Sequence, residues 1–213
     1  MLRDAIPRSG DRRRTGIGLL GGSFNPAHQG HLAIALRGLH ALRLDEVWFL
    51  VSPGNPLKTG QDMALQDRRR DSVSALSSDV RLRASTIESQ LGTRYAIDTV
   101  RRLRRLFPRA RFVWLMGADV FAELPRWRRW RQFLREIAVA VIPRPGSSTA
   151  ALHGQTQSVM RRFRLPPSRA RRLSYLPPPV WAFLPGRQND ISATELRRRQ
   201  NPSGRFRTQE NQP

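Results

Sequence analysis

The stretch Gly21-Gly22-Ser23-Phe24-Asn25-Pro26-Ala27-His28-Gln29-Gly30-His31 constrains this chain more than any other. Just upstream lies the apolar run Ile17-Gly18-Leu19-Leu20, long enough for a buried strand. Downstream, Leu32, Ile34, Ala35, Leu36, Leu39 and Leu42 recur mostly at three- and four-residue spacing and mark one face of a helix. The stretch is therefore a strand-to-helix turn, glycine-rich where the backbone bends and approaches a ligand, with Pro26 fixing the loop. The helix is expected to start near Gln29 and run to about Leu42. Its first amides lack partners, and together with the positive end of the helix dipole they attract phosphate. His28 and His31 are three apart and share one face beside those amides. Imidazole N–H groups aimed there add donors to a phosphate undergoing substitution; equally, the two rings can serve only to cap and pack the turn. Zinc would need a third ligand. The chain has no cysteine and only His40 and His153 besides, so no protein-held metal is expected.

The turn resembles the signature loop of the adenylyltransferase and cytidylyltransferase superfamily, whose hallmark His-x-Gly-His is matched by His28, Gly30 and His31. A second hallmark of that superfamily, a Ser-[Ser/Thr]-x-[Ile/Leu]-Arg type segment near the C-terminus, is similar to Ile191-Ser192-Ala193-Thr194-Glu195-Leu196-Arg197. The two occur in the expected order. Read without the resemblance, Ser192 and Glu195 form a capping box at the start of a helix. The two readings are compatible, because a capped N-terminus can also receive a phosphate through Thr194 and later amides.

The length of 213 residues suits one α/β domain. Residues 1–15 are expected to be a disordered basic arm, 16–200 the domain, and 201–213 a polar, disordered tail where relatives usually continue with an apolar helix. No apolar run approaches the length of a membrane span, and the charged N-terminus lacks the apolar stretch of a secretory signal. The absence of cysteine fits a reducing compartment, so a cytoplasmic location is expected. The formal charge of +22 raises the question of nucleic acid. However, Lys58 is the only lysine, and arginine doublets and triplets are spread over the expected helices after the first rather than in one stripe with interleaved aromatics. That distribution argues against a nucleic-acid face and for a general attraction of anionic nucleotides.

Along the chain, Glu46 to Ser52 is a second buried strand, followed by a loop, 53–60, that carries Lys58. Met63 to Ser77 reads as a helix with Met63, Leu65, Val73 and Leu76 inward and Arg68-Arg69-Arg70 outward. Val80 to Ala84 is the next strand, and Ser85 to Gly92 a connection that includes Glu88. Thr93 to Thr99 leads into a helix carrying Val100, Leu103 and Leu106. Arg111 to Met116 is a buried strand ending in Gly117-Ala118-Asp119. Ile137 to Ile142 is another, closed by Pro143-Arg144-Pro145-Gly146. Residues 147–172 read as irregular or partly helical, and Trp181 to Leu184 as a last short strand. The architecture expected is a three-layer, Rossmann-like α/β nucleotidyltransferase fold with a parallel sheet of five or six strands. Its nucleotides would lie across the C-terminal strand ends.

Within the superfamily, several segments resemble nicotinate-nucleotide adenylyltransferases. Thr93 to Thr99 is similar to the family's Ser-Tyr-Thr-x-x-Thr stretch; Tyr95 and Thr99 match, while Arg94 and Ala96 depart. The resemblance implies that Gly21, Gly22, Ser23, Phe24, Lys58, Gly117, Asp119, Ile191, Ser192 and Thr194 bind ATP. It places His28, His31 and Arg197 at the catalytic phosphates. It implies that Asn25, Tyr95, Thr99 and the backbone of Ala96 and Ile97 bind the acceptor, with Trp127 stacked on its pyridine ring. Trp130 is read as core, and Asp119 could instead cap a helix. The activity implied is transfer of AMP from ATP to nicotinate mononucleotide, giving nicotinate adenine dinucleotide and pyrophosphate, with Mg2+ carried by the triphosphate. Nicotinamide mononucleotide and phosphopantetheine are the alternative acceptors. A nucleic-acid-binding protein on the same fold is the alternative of another class.

Overall fold

The computed structural model describes residues 6–7, 9–54, 63–144 and 148–185. Its strands are β1 (Gly16–Gly22), β2 (Glu46–Val51), β3 (Leu82–Ser85), β4 (Arg111–Gly117), β5 (Ala138–Ile142), β6 (Arg164–Leu165) and β7 (Trp181–Phe183). They form one sheet in the order β3-β2-β1-β4-β5-β7-β6, with every pairing parallel. The helices are α1 (Gln29–Ala41), α2 (Gln66–Ser74), α3 (Ile87–Gln90), α4 (Ala96–Leu106), α5 (Ala118–Glu123), α6 (Trp130–Glu136), α7 (Ser148–His153) and α8 (Gln155–Met160). The seventh strand is the two-residue β6, in the region that reads as irregular in sequence.

The central strands are buried on both faces, and their side chains alternate between two cores. In β4, Phe112, Trp114 and Met116 join the cluster that holds Val100 and Leu103 of α4 and Phe133 of α6. Val113 and Leu115 join the opposite cluster with Ile34 and Leu39 of α1 and Val73 of α2. In β5 the same alternation sends Val139 and Val141 one way and Ala138, Ala140 and Ile142 the other. Helix α1 lies close to the sheet because Leu115 occupies the space a side chain would need at Gly18 or Gly38. An added Cβ would come within 2.8 Å and 2.5 Å of it, respectively.

Three expectations are corrected. The helix over 63–77 shrinks to α2; Leu65 at its entry is 71% exposed, and Arg69 is buried at 3% exposure instead of facing water. The reason is polar: three carbonyls converge on Arg69, as described below. Val80 is exposed, and the strand starts only at Leu82. The arm expected over 1–15 packs in its described part: Ile6, 1% exposed, joins the core that includes Phe107, and Arg13 pairs with Glu46 at 3.0 Å. One apolar residue in a charged segment suffices to dock it where a hydrophobic surface lies open.

Candidate active site

In an open parallel sheet the crevice forms where neighbouring connections leave in opposite directions. Here that point lies between β1, whose connection leads toward β2, and β4, whose connection leads toward β5. The turn of residues 23–28 leaves β1 at this place, and Gly117-Ala118-Asp119 leaves β4 beside it.

The turn is held by its own groups. His28 is the N-cap of α1: its Nδ1 accepts the Gly30 N–H at 3.1 Å, and the Nδ1 of His31 accepts the N–H of His28 at 3.3 Å. The two rings stack at 3.8 Å, inclined by 30°. Capping therefore leaves both rings able to donate to a ligand. A neutral imidazole whose Nδ1 accepts must carry its proton on Nε2, so each ring keeps one N–H donor for a ligand. Burial, followed by the nearby Arg144 charge, lowers the His28 pKa to about 4. Burial, His28 and Arg144 lower that of His31 to about 3. Near neutral pH both rings are uncharged donors.

The glycines act differently from what the sequence suggests. A Cβ at Gly21 would come within 2.8 Å of the Trp114 ring, and one at Gly22 within 3.2 Å of the Phe24 ring. They leave room for core aromatics. The residue that bends the turn in the left-handed region is Phe24, with φ of 49°. Such a conformation costs a non-glycine residue on the order of 1–3 kcal/mol. The Phe24 ring is buried and meets His31 edge-on at 4.8 Å and Phe49 at 5.7 Å, contacts that hold it there.

Two arginines that the motif reading leaves out support the turn. Arg69 donates to the carbonyls of Ser23, Ala64 (2.8 Å) and Ser52 (2.9 Å), so α2 fastens the turn to the end of β2. Arg144 follows β5; its charge acts on both histidines and it meets Asp119 at 3.4 Å. The signal for Arg144 was its place after a buried strand. Arg69 had none, because an arginine triplet on a helix normally faces water.

Asp119 is not the cap of α5, a position held by Gly117; it lies in the first turn. Its Oδ1 is buried without a hydrogen-bond partner and sits against the place a Gly117 side chain would need. An unpartnered carboxylate oxygen at a strand end suits a donor such as a ribose hydroxyl.

Farther along the sheet edge, Tyr95 caps α4 and carries the Arg128 guanidinium over its ring at 4.6 Å. The Ile97 side chain is buried, while Ala96 is half-buried; their N–H groups open the helix. Thr99 is fully buried, and its hydroxyl donates to Glu88 at 2.9 Å. It therefore shapes the site from behind rather than reaching a ligand. Trp127 is half-buried, edge-on to Trp114 at 6.1 Å and tilted against Phe133 at 5.5 Å. Trp130 packs against the core, as expected. Asn25 is half-buried in the turn. Lys58, Ile191, Ser192, Thr194 and Arg197 lie outside the described residues. Among the described residues, no three histidine, cysteine, aspartate or glutamate side chains cluster as a metal cage, and no helix is long and apolar enough to cross a membrane.

Comparison with known proteins gives a consistent result. The profile of the Cytidylyltransferase-like family matches residues 19–199. A protein of Gluconacetobacter diazotrophicus named "Probable nicotinate-nucleotide adenylyltransferase" is 52% identical over 193 residues, covering 91% of this chain and 90% of its own. A protein of the same name from Gluconobacter oxydans is 50% identical over 196 residues, covering 92% and 98%. Among solved structures, the Plasmodium falciparum nicotinic acid mononucleotide adenylyltransferase complexed with NaAD superposes with a TM-score of 0.66 at 17% identity. The match covers 86% of this chain and 83% of that one, a likeness of fold. With half of its residues shared over nearly its whole length, and the superfamily turn at the sheet's switch point, this chain belongs to the nicotinate-nucleotide adenylyltransferase family.

Proposed function

We propose that the protein transfers AMP from ATP to nicotinate mononucleotide, producing nicotinate adenine dinucleotide and pyrophosphate in NAD biosynthesis. The observation that carries this reading is the His28–His31 pair, both Nδ1 atoms occupied by backbone N–H groups at the N-terminus of α1. It supports a polyphosphate receiving two neutral Nε2–H donors, the dipole of α1 and the charge of Arg144.

A phosphate oxygen of the acceptor attacks the α-phosphorus of ATP, its bond forms as the bond to the bridging oxygen breaks, and pyrophosphate leaves. The nucleophile is already an anion and needs no base, so histidines held neutral are suited to the task. Catalysis is positioning plus stabilisation of the charge that moves onto the leaving group. Asp119 is suited to a ribose hydroxyl of ATP, and Thr194 and Arg197 to its β- and γ-phosphates, with Lys58 assisting. The planar fork of Arg197 matches two phosphate oxygens at once. Mg2+ arrives with the triphosphate as part of the substrate. The pyridine ring lies on Trp127, near Tyr95, with its carboxylate toward the Ala96 and Ile97 amides, where the α4 dipole favours negative charge.

The test is pyrophosphate release from ATP with nicotinate mononucleotide, nicotinamide mononucleotide or phosphopantetheine as acceptor. Nicotinate mononucleotide is expected to give the highest kcat/KM. A higher value with either of the others refutes the assignment of the acceptor.

A further inference from the structure

Between α3 and α4 lies a set of buried polar groups that the reaction above does not use. Glu88 is 7% exposed. Its carboxylate accepts the Thr99 hydroxyl at 2.9 Å, and the hydroxyl oxygens of Thr99 and Thr93 are 2.9 Å apart. The Thr93 N–H donates to the Glu88 carbonyl at 2.9 Å, and the Thr93 hydroxyl is 3.3 Å from that same oxygen. Thr99 also lies 3.3 Å from the Tyr95 carbonyl. A single glutamate thus ties down both ends of the segment 93–99, which includes the first turn of α4. Structural carboxylates in a core normally face an arginine or lysine. The Glu88 carboxylate faces the Thr99 hydroxyl of α4, which in turn meets that of Thr93 from the connecting loop, and no charged side chain contributes to its ionisation.

We propose that Glu88 is a positioning residue for the pyridine ring of the acceptor: through Thr99 and Thr93 it fixes the first turn of α4, whose Ala96 and Ile97 amides receive the ring's carboxylate. This inference rests on the functional reading above. Its consequence is electrostatic as well as steric. Burial raises the Glu88 carboxyl to a pKa of about 7, opposed only by the Thr99 hydrogen bond. In the neutral form it leaves the positive end of α4 to the substrate. In the ionised form it adds a negative charge behind the amides that hold the ring carboxylate, besides the acidic side chain of Asp98 already in the first turn of α4, and competes with the ring carboxylate for the helix end. An acceptor with an uncharged carboxamide does not meet this competition.

The experiment measures KM for nicotinate mononucleotide and for nicotinamide mononucleotide, the latter as substrate or as competitor, from pH 6 to 8.5. The acceptor phosphates ionise alike in both, so the ratio of the two constants isolates the ring. In the wild type the ratio, nicotinate over nicotinamide, is expected to rise with pH by about two- to fivefold, the size of a charge interaction at a helix end. Glu88→Gln keeps an oxygen for the Thr99 hydroxyl but cannot ionise; the ratio is expected to become flat with kcat unchanged. Glu88→Ala removes the anchor and is expected to raise KM for the acceptor about tenfold, the loss of one hydrogen bond to a charged group, with KM for ATP unchanged. A Glu88→Gln ratio that still follows the wild-type curve overturns the proposal. So does a Glu88→Ala variant in which both substrates weaken alike, which would mark a purely structural role. If Glu88→Ala does not fold, Glu88→Gln decides. Failure of the wild type to turn over nicotinate mononucleotide overturns the parent reading and this one with it; a normal wild type with an indifferent Glu88→Gln overturns this one alone.

Discussion

At the proposed phosphate end of the site one uninterrupted stretch, residues 21–31, supplies the bend, the cap and both imidazole rings, and its hydrogen bonds close within three residues. At the proposed ring end the groups come from three places: the Thr93–Thr99 segment before and into α4, Trp127 after α5, and Glu88 in α3. The first is a local device on a single strand-to-helix turn. The second exists only after the sheet has brought separate connections to one edge. The difference implies that the shape of the histidine turn is less sensitive to changes elsewhere in the molecule, while acceptor recognition depends on packing between α3, α4 and the loop before α6.

The strongest test of the phosphate end is His31→Ala. Losing one preorganised donor is worth roughly 2.7–4 kcal/mol in a barrier, so turnover is expected to fall by about 10²–10³ with both KM values little changed. Near-normal turnover would break the account of the turn. Next in size is Arg69→Ala, which asks whether the turn really is self-contained. Three carbonyls would lose their donor, each worth about 1–3 kcal/mol when left unsatisfied. Partial access of water moderates the total to about 3 kcal/mol by urea titration. A loss below about 1 kcal/mol would show that the turn holds its shape without α2.

The same contrast explains what could be read in advance. The turn was legible because its signals are contiguous: a strand-length apolar run, a bend, a histidine pair and then a helical period. The buried strands were legible because a doubly covered strand is apolar at every position, as in Val47 to Val51. Periodicity assigns Arg69 to the wet face, whereas two of the carbonyls that draw it inward, Ser23 and Ser52, come from residues far away in sequence. Glu88 drew no assignment for the same reason: its meaning lies in Thr93 and Thr99, which only folding brings to it. Ile6 carries no sequence signal of its burial, because a lone apolar residue has no period. A glycine-rich turn suggests room for a ligand at Gly21, while the group it makes room for is Trp114, on a strand that pairs with β1 only in the folded sheet.

Trp127→Leu sharpens the comparison from the ring end. An indole beneath an electron-poor pyridinium contributes on the order of 0.5–2 kcal/mol, so KM for the acceptor is expected to rise about two- to thirtyfold. KM for ATP should stay within twofold, because no phosphate contact changes. A matching rise in KM for ATP would show that the two ends are mechanically coupled through Trp114, the shared neighbour of Gly21 and Trp127.

The smallest effect is one in which the two ends pull in opposite directions. His28 and His31 titrate at about 4 and about 3 in the folded protein and near 6.5 when unfolded. Between pH 5 and 6 the unfolded chain holds protons at these sites that the native state has given up. Stability contributed there rises with pH, approaching about 1.4 kcal/mol per pH unit for each histidine, and is lost as pH falls. Glu88 has the reverse sign. Its folded pKa of about 7 exceeds the unfolded 4.5, so the native state keeps a proton that the unfolded chain releases, and stability falls as pH rises through the same window. Two histidines against one glutamate leave a net slope near that of a single group, about 1.4 kcal/mol per pH unit. Glu88→Gln removes the opposing slope and should nearly double the net one, while His31→Ala should nearly cancel it. Urea titrations at pH 5, 5.5 and 6 on the three proteins read this directly. Above about pH 8.5, beyond the folded pKa of Glu88, all three sites have the same charge folded and unfolded, so the curves should run parallel. A Glu88→Gln slope equal to that of the wild type would mean that Glu88 is already ionised in the native protein. The ring end would then carry a permanent negative charge behind the amides of α4, and preference for a carboxylate-bearing ring would have to come from Arg128 or another cation instead.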